Sequence, residues 1–448
     1  MDHGLNFPVA SRDFKVDNHT VLAIAVPMTL AYLTTPLIGL VDTIVVGRLG
    51  SAALLGGLAA GAIIFDIVFA TFNFLRSGTT GLVAQAYGRG DRLEERAVLL
   101  RALLVSLTIG TALIICAPLI SLAGGAFIAP QQGVLEAMDV YVRIRLLGTP
   151  FALANYAVLG YVLGRGEGRL GLILQAALNG ANIALAVALG LGLGWGISGV
   201  AWGAVGGELI GLLLGAAALA PRLGRSPWPS RHSVFDPAAL AAMMSLNLDI
   251  MIRSFVLLAS FALFARQGAQ LGTPTLAANA VLLNFFLVGS YFLDGFASAA
   301  EQLVGRAIGA GSGQAFRKAI SITAIWGFVL SGVATGLFLL FGNNLVPAIT
   351  TAEDVRDAAA PYIPWAAFTA ISGVLAFELD GVFIGATWSR DMRNMMLLAF
   401  VAYILVMWFA APKFGNHGLW SALHVFLLAR GLCLLARLRV RERAAFAS

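Results

Sequence analysis

One carboxylic acid, Asp42, interrupts the first long apolar run of the sequence, since residues 18–41 before it carry no acidic or basic charge. An ionised carboxylate at membrane depth is costly, so an acid in such a run is a candidate for function by default. Burial disfavours the charged form of a carboxyl group, which suits a group that binds and releases protons. We therefore predict that Asp42 binds a proton. The alternatives are an acid that faces water, or an ion pair with Arg48.

Several polar or helix-bending residues lie where they could serve this acid. Thr35 precedes Asp42 by seven residues, which is two helical turns and the same helix face. Pro27 and Pro36 each remove a backbone hydrogen bond from the same helix, which would let it bend. We assign three amides to a polar cluster in the first half of the chain: Asn155, Asn179 and Asn182. The alternative for these amides is helix–helix hydrogen bonding without a further role.

Charged residues also interrupt the apolar runs of the second half. Asp249 and Arg253 are four residues apart, so we predict that they neutralise each other along one helix face. Four further acids are candidates for a charge network with Arg253 or for the lining of a binding cavity: Asp294, Glu301, Glu378 and Asp380.

The composition places all these residues in membrane helices. The mean hydropathy is +0.86, and only 12% of the residues are charged, about half the share typical of soluble domains. A bilayer core needs about 20 mostly apolar residues per helix. We predict an all-α polytopic membrane protein with twelve transmembrane helices. Their approximate ranges are 20–47, 52–87, 93–122, 133–163, 168–191, 197–220, 237–266, 274–308, 314–341, 355–386, 391–411 and 417–438.

The two halves of the chain resemble each other. The phrase Gly160-Tyr-Val-Leu-Gly164 recurs as Gly381-Val-Phe-Ile-Gly385 after a shift of 221 residues. We predict two six-helix pseudo-symmetric lobes, residues 1–221 and 237–448, joined by a cytoplasmic linker at 222–236. Six is an even number, so the copies enter the membrane in the same direction, with a cleft between them. The duplicated GxxxG spacing predicts close helix packing.

The cations indicate the orientation. Twenty of the 29 Lys and Arg residues fall on one side of the predicted topology, whereas six, including Arg143 and Arg145, fall in the opposite loops. Cytoplasmic loops carry the excess of positive charge. We therefore expect both termini in the cytoplasm, and we expect the chain to be integral to a bacterial cytoplasmic (inner) membrane.

Long phrases in three predicted helices resemble one family. They are Leu293-Asp-Gly-Phe-Ala-Ser-Ala-Ala-Glu301-Gln-Leu-Val-Gly305, Leu379-Asp-Gly-Val-Phe-Ile-Gly-Ala-Thr387 followed by Arg390-Asp-Met-Arg-Asn394, and Asp249-Ile-Met-Ile-Arg253. In the first helix, Pro27 and Asp42 match a proline and an acid of the family, fifteen residues apart. These segments resemble the DinF-type branch of the multidrug and toxic compound extrusion (MATE) transporters.

The resemblance implies a secondary active antiporter that exports small organic compounds, amphipathic or cationic, in exchange for protons that move inward. From the residues themselves we expect membrane lipid as the surroundings, no nucleic-acid partner, no enzymatic activity, no cofactor or metal, and a monomer. One position departs from the family. In the fifth helix Asn182 matches, but Ala186 stands where the family has an acid.

Other functions stay open at this point. Sodium-coupled efflux by the same fold is one alternative, although the missing acid at Ala186 weakens it. A flippase for lipids or lipid-linked precursors is another, but it would be expected to have a strongly cationic cavity. A membrane enzyme would need a paired nucleophile and base or a metal set within the helices, and the sequence has no such pattern.

Overall fold

The structure is a computed structural model that describes residues 14–128, 131–224 and 227–447. Over these residues the regular structure is α-helical, with a π-helical segment at Ala188–Gly192, a 3-10 turn at Ala360–Tyr362 and no β-strand. The helices are α1 (Asn18–Gly47), α2 (Ala52–Phe72), α3 (Phe74–Arg89), α4 (Arg92–Ile115), α5 (Ala117–Ile128), α6 (Gln132–Leu147), α7 (Thr149–Gly164), α8 (Gly168–Val187), α9 (Gly196–Leu223), α10 (Arg231–Val234), α11 (Pro237–Gln270), α12 (Thr273–Gly309), α13 (Gly313–Ile349), α14 (Glu353–Ala359), α15 (Ile363–Gly385), α16 (Ser389–Phe414) and α17 (Asn416–Phe446).

The predicted fold class is confirmed. In the part of the chain that the structure describes, eleven helical segments are long and apolar enough to cross a bilayer. The count becomes twelve when α6 and α7, which meet at an angle of 50°, form one span. The bend lies at Gly148, next to Pro150 in the first turn of α7. Proline fits a first turn because it has no N–H to donate there.

Some predicted helices are broken in the structure. The helix predicted at 93–122 consists of α4 and the start of α5, which are separated at Cys116. The helix predicted at 355–386 consists of α14, the 3-10 turn and α15. Pro361 and Pro364 lie at this second junction. Proline disrupts an interior turn, so the junction separates two helices instead of continuing one.

The chain forms two compact units. Unit 1 contains Met1–Thr29, Ala84–Gly90 and Leu248–Ser448, and unit 2 contains Leu30–Val83 and Asp91–Asn247. In unit 1, buried aromatic side chains such as Phe264, Tyr403 and Trp420 form a core. The predicted division at 1–221, 222–236 and 237–448 stays a prediction. Residues 1–13 of the predicted N-lobe and 225–226 of the linker lie outside the described residues.

The GxxxG pair of α15 packs directly on the backbone of α12, within unit 1. A Cβ atom on Gly381 would lie 2.2 Å from the carbonyl oxygen of Ala297. A Cβ atom on Gly385 would lie 2.1 Å from that of Glu301. Neither distance leaves room for a side chain, so only glycine allows these two helices to approach so closely.

The GxxxG pair of α7 makes the equivalent contacts within unit 2. A Cβ atom on Gly160 would lie 2.5 Å from the carbonyl oxygen of Arg76, and one on Gly164 would lie 2.8 Å from that of Thr80. The contacted positions in the two units are related by the same shift of 221 residues as the glycines themselves. The predicted packing role of the duplicated motif is therefore confirmed in both copies.

We expect Gly385→Ala to lower the thermal stability of the purified protein. The added methyl group meets a backbone carbonyl that cannot rotate away, and overpacking of this kind costs about 1–3 kcal/mol. The matched control is Gly332→Ala in the interior of α13, where a Cβ atom meets nothing within 4 Å. Scanning fluorimetry in one detergent compares the two variants. Equal melting temperatures for Gly385→Ala and the parent would contradict the packing account.

Candidate functional site

Asp42 lies in the second half of α1 and is buried, with 4% of its surface exposed. Its Oδ1 atom has no hydrogen-bond partner among the described residues. Val45 and Val46, one turn further along α1, belong to the apolar core of unit 2. Asp42 therefore does not face water in this structure, and Arg48, its alternative partner from the sequence, is exposed.

The cation whose charge acts on Asp42 is Arg145 of α6. The sequence assigned Arg145 to an outer loop, but the structure places it half-buried in the last turn of α6. Its guanidinium carbon lies 4.9 Å from the ring centre of Phe65, and 5.8 and 5.9 Å from the ring centres of Phe69 and Tyr141. An arginine enclosed by three rings is held by cation–π attraction.

Two more carboxyl groups lie within the electrostatic range of Arg145. They are Asp66 on α2 and Glu208 on α9. The sequence gave no prediction for Glu208, which is half-buried and accepts a hydrogen bond of 2.8 Å from the Nδ2 of Asn155. Together with Asp42, three acids of unit 2 share this one cation. The arrangement gives this part of unit 2 a negative balance when the acids are ionised.

The predicted amide cluster is divided among different partners. Asn155 binds Glu208, whereas the Nδ2 of Asn179 donates to the hydroxyl of Thr34 at 2.7 Å. The Oδ1 of Asn182 is buried without a hydrogen-bond partner among the described residues. The amides thus do not bond to one another. Their roles in transport stay predictions.

The other first-helix residues have distinct surroundings. Thr35 is exposed, and its neighbour Thr34 holds Asn179 instead. Pro27 is buried and Pro36 is exposed, and α1 runs through both without a break. The hinge role of these prolines stays a prediction.

Position 186 is apolar and closely packed in the structure. Ala186 is fully buried in the core of unit 2. A Cβ atom on Gly203 of α9 would lie 2.5 Å from the backbone nitrogen of Ala186. The place of the second acid in the resembled family is therefore filled by a tight contact between α8 and α9, with no polar group.

The prediction that Asp249 and Arg253 neutralise each other is wrong. Asp249 accepts hydrogen bonds from Ser389 at 2.7 Å and from Arg393 at 2.6 Å, both on α16. Arg253 instead forms an ion pair with Asp380 of α15. Spacing along one helix predicts pairing only where nothing else competes. Here both side chains find oppositely charged partners on neighbouring helices of unit 1.

Asp380 is the centre of a buried ionic cluster in unit 1. It pairs with both Arg253 and Arg430, and the Arg430 side chain is only 1% exposed. Asp294 of α12, another predicted candidate, lies within the electrostatic range of Arg430. The predicted network between the second-half acids and Arg253 is thus present for Asp380.

Glu378 and Glu301 are buried at 2% exposure each. Neither carboxyl oxygen of Glu378 has a hydrogen-bond partner among the described residues. Thr323 of α13 lies beside this carboxyl group, but its hydroxyl donates to the carbonyl of Ala319. Glu378 is therefore a second isolated carboxyl group, on α15 in unit 1. Over the described ranges, no cluster of three His, Cys, Asp or Glu side chains could hold a metal ion.

Comparison with known proteins agrees with this architecture. The family model described as MatE matches residues 27–188 and 250–410. The DNA damage-inducible protein F of Escherichia coli (strain K12) is 36% identical over 427 residues, which are 92% of this chain and 90% of that protein. The multidrug resistance protein PmpM of Pseudomonas aeruginosa is 26% identical over 450 residues, which are 93% of this chain and 90% of that protein.

A solved structure shares the fold. It is described as the outward-facing conformation of a multidrug resistance MATE family transporter of the MOP superfamily. It superposes with a TM-score of 0.84 at 16% identity, and the match covers 96% of both chains. At this identity the likeness establishes the architecture alone.

Proposed function

The chain belongs to the MatE family of multidrug efflux transporters, and from this premise we propose that it exports small organic compounds in exchange for protons. The observation that carries the proposal is the buried carboxyl group of Asp42, which has an oxygen without a hydrogen-bond partner among the described residues. A carboxyl group in such a place is stable when protonated and costly when ionised. It can therefore take up a proton on one side of the membrane and release it on the other.

Two observations favour the proton over sodium as the coupling ion. A sodium ion needs several oxygen ligands, and Ala186 withholds the carboxylate that the resembled family places near the first-helix acid. Val45 and Val46, one turn along α1 from Asp42, belong to the apolar core of unit 2 and offer no oxygen ligand from their side chains. A proton needs only the carboxyl group itself.

Exchange at one acid gives a simple cycle. Protonation of Asp42 from outside neutralises the site and releases a cationic compound, and deprotonation inside restores the affinity. A membrane potential of 100 mV adds about 2.3 kcal/mol for each charge that moves. For an uncharged compound, a single proton can therefore sustain a concentration gradient of more than about tenfold. One-for-one exchange with a monovalent cation moves no net charge, so there the pH difference alone supplies the drive, about 1.4 kcal/mol or tenfold for each pH unit.

We propose a bacterial cytoplasmic membrane as the location, with both termini in the cytoplasm and a monomer as the working unit. The excess of positive charge on one side of the predicted topology supports this orientation, and Arg96, Arg165 and Arg222 belong to that side. Arg165 pairs with Glu95, Arg222 pairs with Glu167, and Arg96 donates to the carbonyls of Pro227 and Arg222 at 2.9 Å. Ion pairs and hydrogen bonds thus connect the linker with the adjacent ends of α4, α7 and α9 in unit 2.

Transport into vesicles tests the proposal. The purified protein is reconstituted, and the uptake of a fluorescent organic cation such as ethidium is followed with either a proton or a sodium gradient imposed. We expect uptake with the proton gradient, unchanged when sodium is replaced by choline. Uptake that requires sodium would overturn the proposed coupling ion. Transbilayer movement of a labelled lipid, without uptake of any drug, would favour a flippase instead.

A further inference from the structure

Three aromatic rings of unit 2 form a box on the facing sides of α2 and α6. We define the aromatic box as Phe65, Phe69 and Tyr141. The rings of Phe65 and Tyr141 meet edge to face, with centres 6.1 Å apart and an angle of 88°. Phe65 and Phe69 lie on the same face of α2, with ring centres 5.6 Å apart. The ring of Tyr156 extends the box, 6.3 Å from Phe69.

The guanidinium of Arg145 occupies this box. Its distances of 4.9, 5.8 and 5.9 Å to the three ring centres all lie within the range of cation–π attraction. No carboxylate of the described residues lies within ion-pair distance of Arg145, although Asp42, Asp66 and Glu208 act on it from farther away. The guanidinium contacts the rings directly, and the acids attract it from farther away. The same combination of aromatic faces and nearby negative charge binds organic cations.

We propose that the aromatic box is a binding site for the charged end of an aromatic or quaternary organic cation, and that Arg145 occupies it as a tethered competitor. This assignment rests on the proposed export function, because it names the substrate class of the same unit. Arg145 then determines specificity: a compound enters only if it displaces the guanidinium or stacks beside it. Small cations without aromatic groups are expected not to displace the guanidinium. Large aromatic cations, which gain more contact with the rings, are expected to displace it.

Competition by Arg145 predicts the direction in which the affinity for an organic cation changes when Arg145 is replaced. Arg145→Gln removes the tethered cation from the rings and leaves the three acids without their shared countercharge. Both changes favour a bound organic cation. We expect the variant to bind tetraphenylphosphonium about tenfold more tightly than the parent, the size of a partly desolvated cation–π contact. A protein in which Arg145 merely stabilises the helices would show no such gain.

Equilibrium binding of tetraphenylphosphonium to the full-length protein in detergent tests this assignment. The matched control is Arg143→Gln on the same helix, whose side chain is exposed and pairs with Asp139. We expect the parent affinity from the control and tighter binding only from Arg145→Gln. Unchanged or weaker binding by a monodisperse Arg145→Gln protein would overturn the proposal.

A second variant keeps the proposal falsifiable if Arg145→Gln fails to fold. Phe69→Leu is expected to weaken binding of tetraphenylphosphonium about tenfold, whereas Phe127→Leu, at a ring that is 82% exposed, leaves it unchanged. Equal effects of the two would overturn the assignment of the box. These binding assays use no ion gradient, so they test the aromatic box separately from the coupling ion. If the variants bind as predicted but the parent shows no proton-driven uptake, only the proposed proton coupling is rejected.

Discussion

Asp42→Asn is expected to abolish drug uptake driven by a proton gradient and to weaken the binding of cationic substrates. The amide has nearly the shape of the protonated acid but cannot release a proton, so the transporter is fixed in its protonated form. With a pH difference of one unit, one proton supports about a tenfold accumulation of a monovalent cation, and the variant is expected to lose this accumulation. Uptake of ethidium into vesicles with an imposed pH gradient measures the effect.

The control for this substitution is Asp139→Asn. Asp139 lies at the surface, where it pairs with Arg143 and Ser121, and it takes no part in the proposed exchange. Its variant should transport at the rate of the parent. If Asp42→Asn retained full proton-driven uptake, the coupling would have to move to another buried acid, and Glu378 is the acid that the structure offers.

Asp380→Asn is expected to destabilise the protein strongly. The carboxylate compensates two arginines in the interior of unit 1, and Arg430 is only 1% exposed. Removing one partner of a buried ion pair leaves an uncompensated charge and costs about 3–5 kcal/mol. Here two cations lose their partner at once. We expect loss of folded, monodisperse protein, or a large drop in its melting temperature.

The neighbouring substitutions give an order of severity. Arg253→Gln leaves Asp380 paired with Arg430, so it should cost less than Asp380→Asn. The surface control is Glu442→Gln, which breaks the ion pair with the exposed Arg317. Such surface pairs contribute about 0–1 kcal/mol. Equal melting temperatures of Asp380→Asn and Glu442→Gln would show that the ionic cluster does not stabilise unit 1.

The fold class could be predicted from the sequence because a bilayer allows few backbone structures to cross it. A segment of about 20 apolar residues has to satisfy its backbone internally, so its length and composition predict a helix. The GxxxG phrases could be read in the same way, since their recurrence at one shift pointed to a contact present in each copy. Gly381 and Gly385 now lie against the backbone of α12, as the pattern indicated.

The partners of the charged residues were harder to predict. Asp249 and Arg253 have ideal spacing for a pair, yet each bonds to a different helix. Spacing reports only neighbours along one helix, whereas the strongest electrostatic partners come from helices distant in the sequence. For the same reason the sequence did not predict the contacts of Arg145 and Glu208. The sequence pattern groups Arg145 with the outer loops, and two of the rings that surround it belong to another helix, α2.

Proton release on drug binding is the most direct test of the central claim, which is that Asp42 exchanges a proton for substrate. The purified protein is titrated with tetraphenylphosphonium in a weakly buffered solution that contains a pH indicator. The parent is expected to release a proton as the drug binds. Asp42→Asn is expected to bind more weakly and, at saturating drug, to release no proton. Equal release by both proteins would contradict the account, as would binding by the parent with no proton released.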